Sequence, residues 1–196
     1  CALLEPERIK RVSGALLAGQ TVRYWSAWPV TGEAPAGVER AGTPEAADFA
    51  LTLTPEGGAL HLVPPIGVLG VGCRRGTTAE RLEEAFSAFC ASSGLSPAAV
   101  SAAASIDLKK EEPGLAQFCK AHGWPITFYS ADQLRAVPGQ FTPSAFVAGV
   151  TGVDNVCERA AVKASGGALL LPKTAGGGVT LALAVRPFAP DWRTEQ

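Results

Sequence analysis

Gly70-Val71-Gly72-Cys73-Arg74-Arg75-Gly76-Thr77-Thr78 decides the fold. An apolar run precedes it and an amphipathic stretch, 79–89, follows it. That order reads as strand, tight glycine turn and helix start. A helix start offers unpaired backbone N–H groups and a partial positive charge, which favour an anion. Arg74 and Arg75 strengthen this reading, because guanidinium grips carboxylate or phosphate bidentately. The alternative is a plain tight turn with solvated arginines. The glycines do not make a dinucleotide fingerprint, since the third comes one residue late, and no P-loop lysine follows.

Outward from this turn, strands and helices alternate. The patterns predict strands at 68–72, 100–105, 126–129, 145–148, 168–172 and 179–185. They predict helices at 78–92, 114–122, 131–137 and 153–165. Thr77-x-x-Glu80 and Ser130-x-x-Gln133 have capping-box spacing. Gly94, Gly123 and Gly166 follow helix ends, where left-handed backbone is needed. The last two strands are expected to form an antiparallel hairpin at one edge, joined by Thr174-Ala175-Gly176-Gly177-Gly178. The expected fold class is α/β: a three-layer α/β/α sandwich with a mostly parallel mixed sheet.

A small α+β segment precedes it, closed by Pro64-Pro65. Ile9, Val12, Leu16 and Leu17 recur at helical spacing within 5–18. Strands are expected at 21–25, 49–54 and 59–63, with 28–42 as loop. Pro55-Glu56-Gly57-Gly58 reads as the turn of a hairpin. The expected division is 1–65, 66–188 and a tail at 189–196.

Composition bounds the function. The 196 residues are 47% hydrophobic and 18% charged, with a formal net charge of -1. This describes a folded protein without the basic excess of a general nucleic-acid binder. No run reaches membrane-span length, and no signal-peptide pattern is visible. The 5 cysteines are widely spaced and contain no C-x-x-C, so neither a disulfide framework nor a zinc pattern is present and a reducing cytoplasm is expected. Methionine is absent, from which an N-terminal part is expected to precede residue 1. A lipoprotein starting at Cys1 has little support, because 2–5 run straight into a helical pattern.

Polar residues concentrate after the strands, where ligands bind in open α/β sheets. The first such loop is 73–78. The second is Ser105-Ile106-Asp107-Leu108-Lys109-Lys110-Glu111-Glu112-Pro113-Gly114. Here Asp107 or Glu112 could serve as a general base, with Lys109 as the neighbouring cation. The bland alternative is a solvated loop whose acids and proline begin a helix. Ser130 and Lys173 lie in the third and fourth loops. Cys73 is a candidate nucleophile, since a helix N-terminus with arginines lowers a thiol pKa. Cys90, Cys119 and Cys157 fall on apolar helix faces. With only 2 histidines, a His-rich metal site or a Ser-His-Asp triad has no good support. Arg135 and Arg159 read as solvated helix faces.

Five ordered motifs carry a resemblance: Gly72-Cys73-Arg74-Arg75-Gly76-Thr77, Ala104-Ser105-Ile106-Asp107-Leu108-Lys109, Glu112-Pro113-Gly114-Leu115, Phe128-Tyr129-Ser130-Ala131 and Gly149-Val150-Thr151-Gly152-Val153. Over about 67–185 the chain resembles the CbiG/CobE family of cobalamin biosynthesis. The first segment resembles the CbiG central region less distinctively, and the CbiG N-terminal domain has no counterpart. The resemblance implies hydrolysis of cobalt-precorrin-5A: a lactone on the contracted tetrapyrrole opens and a two-carbon unit leaves as acetaldehyde. It implies that acidic side chains of the substrate meet Arg74, Arg75, Lys109 and Lys173. Cys73, Gly76, Thr77, Thr78, Ser105 and Ser130 complete the binding set. Asp107 or Glu112 would activate water, and Lys109 or the amides of 76–78 would hold the oxyanion. Cobalt would arrive within the corrinoid, so neither a protein metal site nor a cofactor is expected. Other corrin-pathway enzymes and a second copy of the chain are the partners to consider; nucleic acid and membrane are not. The alternatives are a non-catalytic corrinoid-binding or carrier module, and a nucleotide-binding domain using the first turn.

Overall fold

The structure is a computed structural model and describes residues 1–143 and 152–192. It divides into two compact units: one of Cys1–Pro65, Gly94–Ala99 and the chain from Phe188 onward, the other of Ile66–Ser93 and Val100–Pro187.

The first unit is built on β1 (Ala2–Leu3), β2 (Val22–Ser26), β3 (Val38–Arg40), β4 (Phe49–Leu51) and β5 (Leu60–Val63), in the order β1-β5-β4-β2-β3. Helix α1 (Ile9–Leu17) follows a short 3-10 turn at Pro6–Arg8. Two expectations are corrected. The 28–42 stretch contains β3, which pairs parallel with β2. The expected hairpin around Pro55–Gly58 does not form, because β4 and β5 pair parallel, with Phe49 opposite Leu60. The turn signal is real but serves a longer loop: Gly57 has φ 79°, and His61 Nε2 bonds the Glu56 carbonyl at 2.9 Å. That contact folds the loop back on the start of β5. Trp192, in the stretch expected as a tail, meets Tyr24 edge-on with ring centroids 5.0 Å apart.

The second unit contains β6 (Gly67–Cys73), β7 (Val100–Ile106), β8 (Ile126–Tyr129), β9 (Ala168–Gly176) and β10 (Val179–Val185), in the order β8-β7-β6-β10-β9. Strands β6, β7 and β8 are parallel. Strand β10 runs antiparallel to both β6 and β9. The mixed sheet and the edge hairpin are therefore as expected. The hairpin loop is shorter than expected, because Gly176 still pairs with Val179. Only Gly177 and Gly178 turn the chain, at φ 58° and 83°, which is type I′ geometry.

Helices α2 (Ala79–Ser93) and α3 (Pro113–Ala121) pack together on one face of this sheet. Phe86 and Phe118 are buried there with ring centroids 6.0 Å apart. Each such burial contributes about 2–3 kcal/mol. Helix α5 (Cys157–Ser165) covers the other face, with α4 (Ala131–Arg135) beside it. Val68, Ala102, Ala104 and Ile106 present alternate positions to Val156 and Ala160 there. Period-2 alternation thus divides each central strand between two helical layers.

Glycine spacing decides how closely α5 approaches. A Cβ at Gly70 would lie 1.9 Å from the Cys157 carbonyl oxygen, and one at Gly72 would lie 2.4 Å from Thr180 Oγ1. Gly70 lets the start of α5 come down onto β6, and Gly72 makes room for the Thr180 side chain of the neighbouring strand β10. The expected strand at 145–148 lies outside the described residues.

Candidate functional site

The C-terminal end of β6 flows into the turn at 73–78, where Gly76 takes φ 75°. Arg74 N–H bonds the Gly178 carbonyl at 2.9 Å, tying the turn to the β9–β10 hairpin. A Cβ at Gly178 would come 2.9 Å from Arg74 Cδ, so glycine there makes room for the arginine stem. Thr77 Oγ1 donates to the Arg74 carbonyl at 2.8 Å. The cap of α2 is Thr78, whose hydroxyl accepts from Arg81 N at 3.3 Å. The capping motif is therefore displaced by one residue from the expected Thr77-x-x-Glu80.

The second loop folds against this turn. After β7 the chain makes a 3-10 turn, Asp107–Lys109, and enters α3 at Pro113. Glu112 is buried. Its carboxylate accepts from the Gly76 amide at 2.8 Å and from Lys109 Nζ at 3.1 Å. The Gly76 hydrogen bond, with help from the Lys109 and Arg75 charges, holds the Glu112 carboxyl below the usual range against the opposing effect of burial. The anion on this turn is therefore the protein's own. The Gly76 amide is not open to an oxyanion, and Glu112 is committed as an acceptor. Gly114 lets the loops close, since a Cβ there would lie 2.1 Å from the Thr77 carbonyl oxygen.

A cleft of about 640 Å³ opens at these strand ends, within the second unit. Gly72, Cys73, Arg74, Arg75, Ile106 and Lys109 line one side. Asp154, Asn155, Cys157 and Lys173 are among those lining the other. Arg74, Arg75, Lys109 and Lys173 thus line one cavity, although Arg74 and Lys173 lie far apart in sequence. This is the strand-end position that α/β sheets use for ligands.

Other expected residues do not line the cleft. Ser105 is buried and donates to the Val71 carbonyl at 2.7 Å, so it joins two strands. Ser130 caps α4 and forms the expected box with Gln133. Thr77 and Thr78 are used within the turn, and Asp107 is exposed outside the cleft lining. Cys73 is half-buried, and that burial pushes its thiol pKa up despite Lys109 nearby. This corrects the expectation of an activated thiolate, because desolvation of the charged form outweighs the neighbouring cation. Burial likewise raises Cys90, Cys119 and Cys157 to about 11.

Apart from Lys173, the far wall was not anticipated from the sequence. Asn155 is buried and its Oδ1 accepts from Glu158 N at 2.9 Å, starting α5. Asn155-x-x-Glu158 has cap spacing and was a usable signal. Arg159 is not a solvated residue. It grips Asp154 through Nε at 2.9 Å and Nη2 at 3.3 Å, and donates to the Val137 carbonyl at 3.0 Å. It also lies 4.5 Å from the Phe141 ring centroid. The Arg159 hydrogen bonds hold the Asp154 carboxyl below its usual value. Arg135, as expected, is exposed, and it pairs with Asp132.

Residues 67–184 match the family model described as cobalamin synthesis G C-terminus. The chain belongs to the CbiG C-terminal family. The match covers the second unit, cleft included, and places this CbiG C-terminal chain in cobalamin biosynthesis. It is 36% identical over 134 residues to a cobalt-precorrin-5A hydrolase of Priestia megaterium, covering 68% of this chain and 35% of that protein. It is 33% identical over 120 residues to protein CobE of a Sinorhizobium species, covering 60% of this chain and 78% of that protein. The chain therefore spans about a third of the hydrolase but most of CobE. The crystal structure of a CobE superposes with a TM-score of 0.56 at 35% identity, over 63% of this chain and 92% of that one. A cobalamin biosynthesis protein G homologue from Sulfolobus solfataricus shares the fold over 95% of this chain and 57% of its own, with a TM-score of 0.52 and 17% identity. Among the described residues no helix is long and apolar enough to cross a membrane, and no cluster of three or more His, Cys, Asp or Glu could hold a metal ion.

Proposed function

We propose that the CbiG C-terminal cleft binds an acidic cobalt-corrinoid intermediate and serves the hydrolysis of cobalt-precorrin-5A. In that reaction water opens the lactone and a two-carbon unit leaves as acetaldehyde. The observation that carries this reading is the meeting of Arg74, Arg75, Lys109 and Lys173 in one cleft. The peripheral acetates and propionates of a corrinoid are carboxylates, which such cations bind by charge-assisted hydrogen bonds. The hydrolase relative at 36% identity supports the reaction. Lys109 is the group that stabilises the developing oxyanion. Glu112 positions Lys109 and the turn.

A second reading, binding without turnover, is favoured by one observation. The carboxylate lining the cleft, Asp154, is engaged by Arg159, and Glu112 is engaged by Gly76 and Lys109. Incubation with cobalt-precorrin-5A separates the readings. Acetaldehyde release that fails in Lys109→Met supports hydrolysis in this cleft. Tight binding with no acetaldehyde selects the carrier, and absence of binding defeats both.

A further inference from the structure

Glu158 is fully buried in α5, with 0% exposure, and does not line the cleft. Its partners among the described residues are all donors. Oε2 accepts from Thr142 N at 2.9 Å and Asn155 Nδ2 at 2.7 Å, and Oε1 accepts from Lys173 N at 2.7 Å. The last of these depends on an irregularity in β9. Register shifts where Leu181 pairs with Thr174 but Leu183 pairs with Leu171, so Pro172 and Lys173 bulge out of the ladder. A bulge frees a backbone N–H from the sheet and re-aims its side chain. Glu158 collects that N–H. The Lys173 side chain then reaches the carbonyls of Thr142 and Pro143, at 2.9 and 3.1 Å. Asn155 closes the set by donating to the Thr142 carbonyl at 2.8 Å. One buried carboxylate thus joins the helix start, the bulged edge strand and the 142–143 segment. Asn155, Pro143 and Lys173 all line the cleft.

From this juxtaposition we infer that Glu158 is a positioning residue. It fixes Lys173 and the Thr142–Pro143 wall for an acidic ligand without touching that ligand. The inference rests on the proposed binding role of the cleft. Glu158→Gln keeps the side-chain volume but places an NH₂ where an acceptor is required. Both positions face donors, so either amide orientation loses at least one bond and sets donor against donor.

The test uses the full chain and cobyrinic acid, a corrin with free carboxylates, followed by absorbance titration. Kd is expected to rise about tenfold in Glu158→Gln, as for loss of a hydrogen bond to a charged group. In a Lys173→Met background the same change is expected to cost less than about twofold, because it acts through Lys173. Equal losses in both backgrounds overturn the inference, as does unchanged affinity. If Glu158→Gln does not fold, Asn155→Ser keeps the cap acceptor and removes the Nδ2 donor. A smaller Lys173-dependent loss is then expected, and unchanged affinity overturns the inference. If the wild-type chain binds no cobyrinic acid, the binding reading fails on its own. Glu158 is then judged by amide hydrogen exchange: faster exchange at Thr142 and Lys173 in Glu158→Gln upholds its hold on the wall, and unchanged exchange overturns it.

Discussion

The Glu112 carboxylate accepts the Gly76 amide at 2.8 Å across 36 residues of sequence. This bond joins the two loops that carry Arg74, Arg75 and Lys109. It also occupies the amide that a substrate oxyanion would otherwise use. The glycine turn is therefore not an open anion nest; its ligand-facing charge comes from side chains.

Glu112→Gln removes the charge from this bond and breaks the Lys109 ion pair. The expected cost at neutral pH is about 1 kcal/mol, seen by urea denaturation. The folded pKa of Glu112 lies below its ordinary value of 4.5. Its contribution is therefore fully present above that ordinary value and is lost as pH falls through the lowered folded value. The wild-type and variant curves should converge with acidification. A gap that stays constant down to about pH 3 would contradict the assignment.

Gly70→Ala places a methyl 1.9 Å from the Cys157 carbonyl oxygen. Helix α5 must lift from β6, at an expected cost of about 3 kcal/mol. Gly14→Ala meets nothing within 4 Å and serves as the control, expected to be neutral or mildly stabilising in a thermal melt. Equal melting of both variants would refute the packing role of Gly70.

Arg74→Ala and Arg75→Ala are each expected to weaken corrinoid binding about tenfold. The loss should shrink as salt is raised, because these cations line an open cleft. Titrations at low and high salt check both points. An affinity insensitive to either arginine would place the carboxylate contacts elsewhere.

Cysteine labelling should follow burial. Cys1 is exposed, Cys73 is half-buried, and Cys90, Cys119 and Cys157 are buried. Iodoacetamide at neutral pH is expected to modify Cys1 first and Cys73 slowly, because desolvation raises the Cys73 thiol. The buried three should react only after denaturation. Mass spectrometry of a time course reads the order. Cys73 reacting faster than Cys1 would restore the activated-thiolate reading.

Much of the second unit is legible in local patterns. Alternating strands, the Ser130–Gln133 box and the left-handed glycines at 123 and 166 depend on neighbours a few residues away. The resemblance carried by the ordered motifs also held, since the family match spans 67–184. The parallel pairing of β4 with β5 was not legible. A Pro-Glu-Gly-Gly turn permits a hairpin without requiring one, and strand direction is decided by partners distant in sequence.

The residue types of the cleft are written locally, and so is their place after strands, because period-2 and helical patterns put loops at strand ends. Which charges remain available is a different matter. Glu112 is taken by Gly76 and Lys109, Asp154 by Arg159, and Glu158 by Thr142, Asn155 and Lys173. Arg159 turns from the solvent to carbonyls and a ring, and burial pushes the Cys73 thiol up. A sequence names donors and acceptors. Only the folded chain decides which meet, because a buried polar group must take the partner that tertiary packing brings within hydrogen-bond reach.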